Sequence, residues 1–336
     1  MGDREKTCPD CGESVSRREF LKTTAAVTAA TIPLFAEPKP VAARAAGAPK
    51  GDKPEELVRR LYAGLNDKQK GAVCFGWDHP NRAKVSNNWK IVEPQIGTFF
   101  NGDQQQLIKD IFAGVTSEGW ADRWKKQMKD DYGGLEKYHV ALFGDPSKEK
   151  FEWVLTGRHV TVRCDGDSEP GVAFGGPIFY GHAAEAFNEK PDHPGNVFWH
   201  QARLANKVYA SFDGKQREKA LVAKSPADDA KSIRIRKEGE FDGIAVTDLS
   251  KDQKALVEET MRELLAPYRA SDVEEAMKYI KDGGGLDKLH LAFYKEGNLG
   301  EDEVWDRWML QGPTMAWYFR GSPHVHTWVN IVAKAW

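Results

Sequence analysis

Near the end of this 336-residue chain, His324-Val-His326 sets two imidazoles two residues apart. Alternate side chains of an extended strand share a face, so this spacing presents two nitrogen donors to one ion. A third candidate, His159, follows Trp153-Val-Leu-Thr-Gly157-Arg158, a segment resembling Trp317-Tyr-Phe-Arg-Gly321-Ser-Pro-His324 with one residue inserted. Three imidazoles with one vertex left open is the arrangement of catalytic zinc, and copper or iron accepts the same donors. Asp145 and Glu152, close to His159 in sequence, are the carboxylates expected to act as catalytic base, and Asp165 is a further candidate for orienting a ligand.

The remaining histidines carry less. His139 and His290 occupy matching places in Leu135-Glu-Lys-Tyr-His139-Val-Ala-Leu-Phe143 and Leu286-Asp-Lys-Leu-His290-Leu-Ala-Phe-Tyr294, which favours structural roles. His182, His193 and His200 fall in a Gly- and aromatic-rich stretch with no counterpart elsewhere in the chain. No G-x-S-x-G elbow is present, which leaves a serine-nucleophile triad unsupported.

The elements that must position these residues recur in one order. Tyr62 to Gln69 parallels Tyr209 to Gln216, a capped apolar helix and a second helix follow, then Gly-Gly-Leu, then the histidine strand. The expected architecture is α+β: an internal duplication giving two similar lobes, each of paired helices plus a short, mainly antiparallel sheet. The expected bounds are a first repeat at 55–170, a connecting loop at 171–202 and a second repeat at 203–336. Helices are predicted at about 55–65, from Asn66, from Asp103 along Leu107, Ile108, Ile111, Phe112 and Val115, and along Trp120, Trp124 and Met128. Ser250-x-x-Gln253 and Ser271-x-x-Glu274 read as capping boxes for helices at about 251–266 and 272–281. Residues 88–100 have strand composition with a proline inside, which suggests an edge or broken strand.

The first 45 residues are of another kind. Ser16-Arg17-Arg18-Glu19-Phe20-Leu21-Lys22 matches the twin-arginine export signature, an Ala/Thr-rich run follows, and cleavage is expected after Ala43 or Ala45. A Gly/Pro/Lys linker spans 46–54. The expected location is the periplasm or beyond, and the expected partners are the twin-arginine machinery and signal peptidase. Cys8-Pro-Asp-Cys11 lies upstream of the arginines and is discounted as a mature site; Cys74 and Cys164 are left as a disulfide or as two buried thiols. Formal net charge is −2, which offers no footprint for nucleic acid or anionic lipid, and no later segment reads as a permanent membrane span.

The run Phe143-Gly-Asp-Pro-Ser147 leading into Trp153, Gly157 and His159, then Gly176-Pro-Ile-Phe-Tyr-Gly181, resembles the DUF3500 family of exported bacterial proteins. Phe241-Asp-Gly243-Ile244 with Leu249 to Gln253, and Trp317-Tyr-Phe-Arg320 through His324-Val-His326-Thr-Trp328, resemble its second half. This chain has Gly157-Arg158-His159 where that family often shows Gly-His-His, and the resemblance implies no established activity. Two functions are expected from the residues: a metal-dependent hydrolase or oxidoreductase using His159, His324 and His326, or a non-catalytic envelope binding protein. In the second, exposed Trp77, Trp120, Trp305, Trp308 or Trp328 would stack on a glycan or another planar small molecule.

Overall fold

The computed structural model describes residues 6–7, 14–15, 53–148, 150–183, 195, 197–236, 239–298 and 304–334. The twin-arginine motif, the cleavage sites, Cys8, Cys11 and His193 lie outside them. Lys6–Thr7 pairs antiparallel with Ser14–Val15. Residues 53–336 form one compact unit.

That unit is α+β. Its helices are α1 (Pro54–Ala63), α2 (Asp67–Val73), α3 (Ile96–Phe99), α4 (Gly102–Val115), α5 (Ala121–Tyr132), α6 (His200–Ala210), α7 (Gly214–Ala220), α8 (Lys251–Leu265) and α9 (Ala270–Asp282). Reciprocal capping boxes start four of them: Asn66/Gln69, Asn101/Gln104, Asp213/Gln216 and Ser250/Gln253. Ser271 caps nothing, because α9 already begins at Ala270 and Glu274 pairs with Arg262 instead. Gly133 ends α5 in the left-handed conformation that a residue without Cβ adopts at no steric cost.

The strands are β1 (Cys74–Phe75), β2 (His139–Gly144), β3 (Phe151–Gly157), β4 (Val160–Cys164), β5 (Ile178–His182), β6 (Leu221–Val222), β7 (Ile244–Ala245), β8 (His290–Tyr294), β9 (Arg307–Gly312), β10 (Met315–Arg320) and β11 (Val325–Ile331). The two short sheets expected from sequence are one sheet. Its order is β1-β2-β3-β4-β5-β11-β10-β9-β8-β6, with β7 also paired to β8. The join is β5 against β11, so residues 178–182, expected in a connecting loop, form a central strand. Parallel pairs close both ends, β1 on β2 and β6 on β8, and the other pairs are antiparallel.

Two further expectations change. The strand beside His290 is β9, with Trp308 and Gly312, so the neighbour of β8 that corresponds in position to Trp153 and Gly157 is not the Trp317 strand. Residues 88–100 form no strand: Asn88 makes one isolated bridge to Arg158, and Ile96–Phe99 is helical. Cys74 and Cys164 are free. They sit on β1 and β4, three strand spacings or about 14 Å apart, beyond disulfide reach.

Alternation along the strands separates the two faces of the sheet. Trp317, Phe319, Val325, Val329 and Ile331 join the large core with helix residues such as Trp124 and Met261. Phe179, Tyr318 and Trp328 point the other way, into a smaller cluster covered by Val85, Ile233 and Ile235. His326 shares the parity of Trp328, which puts it on this loop-covered face. Across the three central strands Gly181, His326 and Arg320 form one row. A Cβ on Gly181 would stand 2.3 Å from the Val325 carbonyl oxygen, a backbone atom that cannot yield cheaply. Gly181→Ala is therefore expected to cost roughly 1–3 kcal/mol by overpacking. A calorimetric Tm equal to that of the parent chain would contradict this.

Candidate metal centre

His159 stands between β3 and β4 with φ of 58°, a left-handed conformation uncommon outside glycine and asparagine. Two backbone hydrogen bonds hold it there: His159 N–H donates to Asn87 O at 2.9 Å, and Gly181 N–H donates to His159 O at 3.0 Å. His324 directly precedes β11 and His326 lies within it. The same-face expectation for 324 and 326 holds, and the β5–β11 pairing brings in His159. All three are 0–1 % exposed.

Their Nε2 atoms converge. The separations are 2.9 Å between His324 and His326, 3.1 Å between His326 and His159, and 3.2 Å between His324 and His159. An ion about 2.05 Å from each nitrogen would subtend N–ion–N angles of ~90 to ~103°. Behind the ring of Nε2 atoms stand two carboxylates. His326 Nδ1 is 2.6 Å from Asp228 Oδ2, and His159 Nδ1 is 3.0 Å from Asp131 Oδ2.

These partners fix the tautomers. A carboxylate only accepts, so Nδ1 of His159 and His326 carries the proton and each Nε2 presents a lone pair. Burial lowers the pKa of all three imidazoles, helped by the Arg158 and Arg320 charges and, at His159, opposed by Asp131. Converging lone pairs on neutral rings repel one another, and a cation among them relieves that repulsion. Asp131 is raised by burial but lowered more by His159, His182 and Arg158, so it stays ionised.

Each carboxylate is itself anchored. Asp131 accepts from Gln127 Nε2 at 2.8 Å and from Ala183 N–H at 3.0 Å. Asp228 accepts from Trp328 Nε1 at 2.6 Å and pairs with Arg320 Nη1 at 2.9 Å. Sequence reasoning missed both. Asp131 had a legible signal, since Asp130-Asp131 puts negative charge at the C-terminal turn of α5, against the helix dipole. Asp228 had none: in Pro226-Ala-Asp-Asp229 the neighbour Asp229 makes the local turn, accepting from Lys231 and Ser232 N–H groups, while Asp228 reaches the site.

The two carboxylates nominated from sequence stand elsewhere. Asp145 accepts from Ser147 in the β2–β3 turn and pairs with Lys148. Glu152 is buried against Arg163 and Arg82. Asp165 bonds the Glu169 N–H, and burial raises its carboxyl to about 7. Of the other histidines, His139 Nδ1 lies 2.9 Å from Pro94 O, His182 pairs with Asp130, His200 stacks on Trp120, and His290 packs on Phe241. Trp120, Trp308 and Trp328 are buried rather than exposed. Trp77 and Trp305 are half-buried, with Arg82 over the Trp77 ring and Tyr209 edge-on to Trp305.

A pH dependence follows from the imidazoles. Their folded pKa values lie below the unfolded value near 6.5, so the unfolded chain binds more protons as pH falls through that range. Asp131 titrates lower and does not offset this. Metal-free protein should unfold at lower urea at pH 5.5 than at pH 7.5; equal midpoints would contradict the neutral assignment.

A family model described as "Protein of unknown function (DUF3500)" matches residues 50–331. A TAT (twin-arginine translocation) pathway signal sequence matches residues 14–32. This signal directs the chain through the twin-arginine machinery to the periplasm or beyond and brings it to signal peptidase. No helix among the described residues is long and apolar enough to cross a membrane. Neither a curated protein nor a solved structure matches the chain.

Proposed function

The chain belongs to the DUF3500 family, whose function is unknown, and from the site itself we propose an exported metal-dependent enzyme whose ion is held by His159, His324 and His326. The observation that carries this is the convergence of three buried Nε2 atoms within 3.2 Å of one another while carboxylates hold two of the Nδ1 atoms. An all-imidazole donor set suits zinc, copper or iron better than magnesium or calcium. Zinc there would supply a Lewis acid for hydrolysis, and copper or iron a redox centre, so the metal decides between hydrolase and oxidoreductase.

The residues have distinct parts. His159, His324 and His326 bind; Asp131 and Asp228 orient two of the rings and raise their basicity. Export in the folded state fits such a site, because the ion can be inserted before translocation. The mature protein, produced without a histidine tag, is expected to carry one equivalent of zinc, copper or iron by elemental analysis. A stoichiometry near zero after exposure to each ion would remove the proposal.

We also propose that the two halves arose by duplication. The sheet order reads alike from both ends, with a short parallel strand, the histidine strand, and then Trp153-x-x-x-Gly157 or Trp308-x-x-x-Gly312. The capping glutamines repeat the pattern: Gln69 and Gln104 exchange side-chain amide hydrogen bonds at 2.8 and 3.1 Å, and Gln216 and Gln253 do so at 3.1 and 2.9 Å. The metal-centre histidines are not paired by this relation, so the site would be a feature of the joined halves. Superposing the first half on the second should place Gln69 and Gln104 on Gln216 and Gln253; failure of that match would refute the duplication.

A further inference from the structure

Resting on the metal reading above, we infer that residues 223–236, which follow β6, are a metal-coupled lid: seated on the sheet they enclose the ion, and the ion in turn holds them shut. Asp228 is the link. Its carboxylate accepts from His326 Nδ1 and from Trp328 Nε1, both at 2.6 Å, and pairs with Arg320 Nη1 at 2.9 Å, so three residues of β10 and β11 grip one loop side chain. One of the three is a proposed ligand. Elsewhere the loop is seated by Ile233 and Ile235 on the small apolar cluster, by Ser225 Oγ accepting from Arg307 Nη1 at 3.0 Å, and by Arg236 Nη2 donating to Gln311 Oε1 at 2.9 Å.

The attachments favour this segment as the part that moves. All three imidazoles are 0–1 % exposed, so an ion reaches them only when something over them is displaced. Asp131 belongs to α5 and His159 is tied to β5 through Gly181, whereas residues 223–236 carry no helix or strand. They hold their own turn instead, in which Asp229 O accepts from Ile233 N–H at 2.9 Å and Asp229 Oδ1 from Lys231 and Ser232 N–H. A segment joined to its sheet by a few side chains opens more cheaply than the sheet itself. An ion on His326 Nε2 makes the Nδ1–H group a stronger donor to Asp228, and linkage makes that coupling reciprocal. Removing an orienting carboxylate costs about 10–100-fold in metal affinity, so a bound ion should disfavour loop opening by about the same factor.

The test is hydrogen exchange, read by mass spectrometry, on the full mature protein without metal and loaded with zinc or, separately, copper(II). The peptide carrying Lys231, Ser232 and Ile233 is expected to exchange about 10–100-fold more slowly with the ion, relative to α2 in the first half. Asp228→Asn should lose most of that protection. Ile233→Ala, which loosens the loop and leaves the carboxylate in place, should surrender its ion to a chelator about 10-fold faster or more, and it carries the comparison if the asparagine variant does not fold. An ion bound normally with loop exchange unchanged overturns the lid and leaves the metal centre standing. Protection undiminished in Asp228→Asn overturns Asp228 as the link, and equal stripping rates in the parent and Ile233→Ala proteins overturn the loop as the ion's way in. A protein that takes up neither zinc nor copper(II) counts against the metal centre, and the inference goes with it.

Discussion

Replacing His326 by alanine is expected to abolish stoichiometric metal binding while the chain still folds. Its Nε2 stands 2.9 and 3.1 Å from the other two Nε2 atoms, so its loss leaves only two imidazoles to hold an ion. Loss of a group that merely orients a ligand costs about 10–100-fold in metal affinity, and loss of the ligand itself should exceed that. The deletion also strands Asp228, which keeps Arg320 and Trp328 as partners, so destabilisation should stay moderate. Elemental analysis together with a melting curve on the same sample separates the two effects. Metal content unchanged in a folded His326→Ala protein would show that the ion, if any, binds elsewhere. Asp131→Asn should give an intermediate loss, because the ring of His159 stays in place without its ionised partner.

Glu152→Ala is expected to be among the most destabilising single changes in the chain. The carboxylate is 0 % exposed and touches the buried Arg163 and the part-buried Arg82. Arg163 also donates to the carbonyls of Arg82, Lys84 and Pro177, so this pair ties the segment over β3 and β4 to the sheet. Burial raises the Glu152 carboxyl while both arginines lower it. Removing one partner of a buried pair leaves the other charge uncompensated, at a cost of about 3–5 kcal/mol. That corresponds to a drop in Tm of about 6 °C or more for a domain of this size. Metal content per folded molecule should be unchanged. The opposite pattern, a normal Tm with loss of a metal-dependent activity, would instead give Glu152 the catalytic part that its place in the sequence suggested.

Much of the local structure was legible in the sequence because its causes are local. The capping pairs Asn66/Gln69 and Ser250/Gln253 satisfy helix N–H groups within four residues, and they form as read. The i, i+2 spacing of His324 and His326 put them on one face because strand geometry allows nothing else. The export signal and the family were carried by contiguous motifs, matched at 14–32 and 50–331.

What only the tertiary structure decided depends on contacts between distant segments. Sequence repetition suggested two lobes but held nothing on whether their edges would meet; the β5–β11 pairing joins them and turns an expected loop into a central strand. The same pairing sets His159 3.1 Å from His326, although 167 residues separate them in the chain. Asp145 and Glu152 were nominated by nearness in sequence, whereas Asp131 and Asp228 reach the imidazoles through the packing of α5 and of a loop. A side chain's polar partner is chosen by whichever segment folds over it. Residue type and spacing therefore picked out the three histidines, and long-range packing set the carboxylates beside two of them.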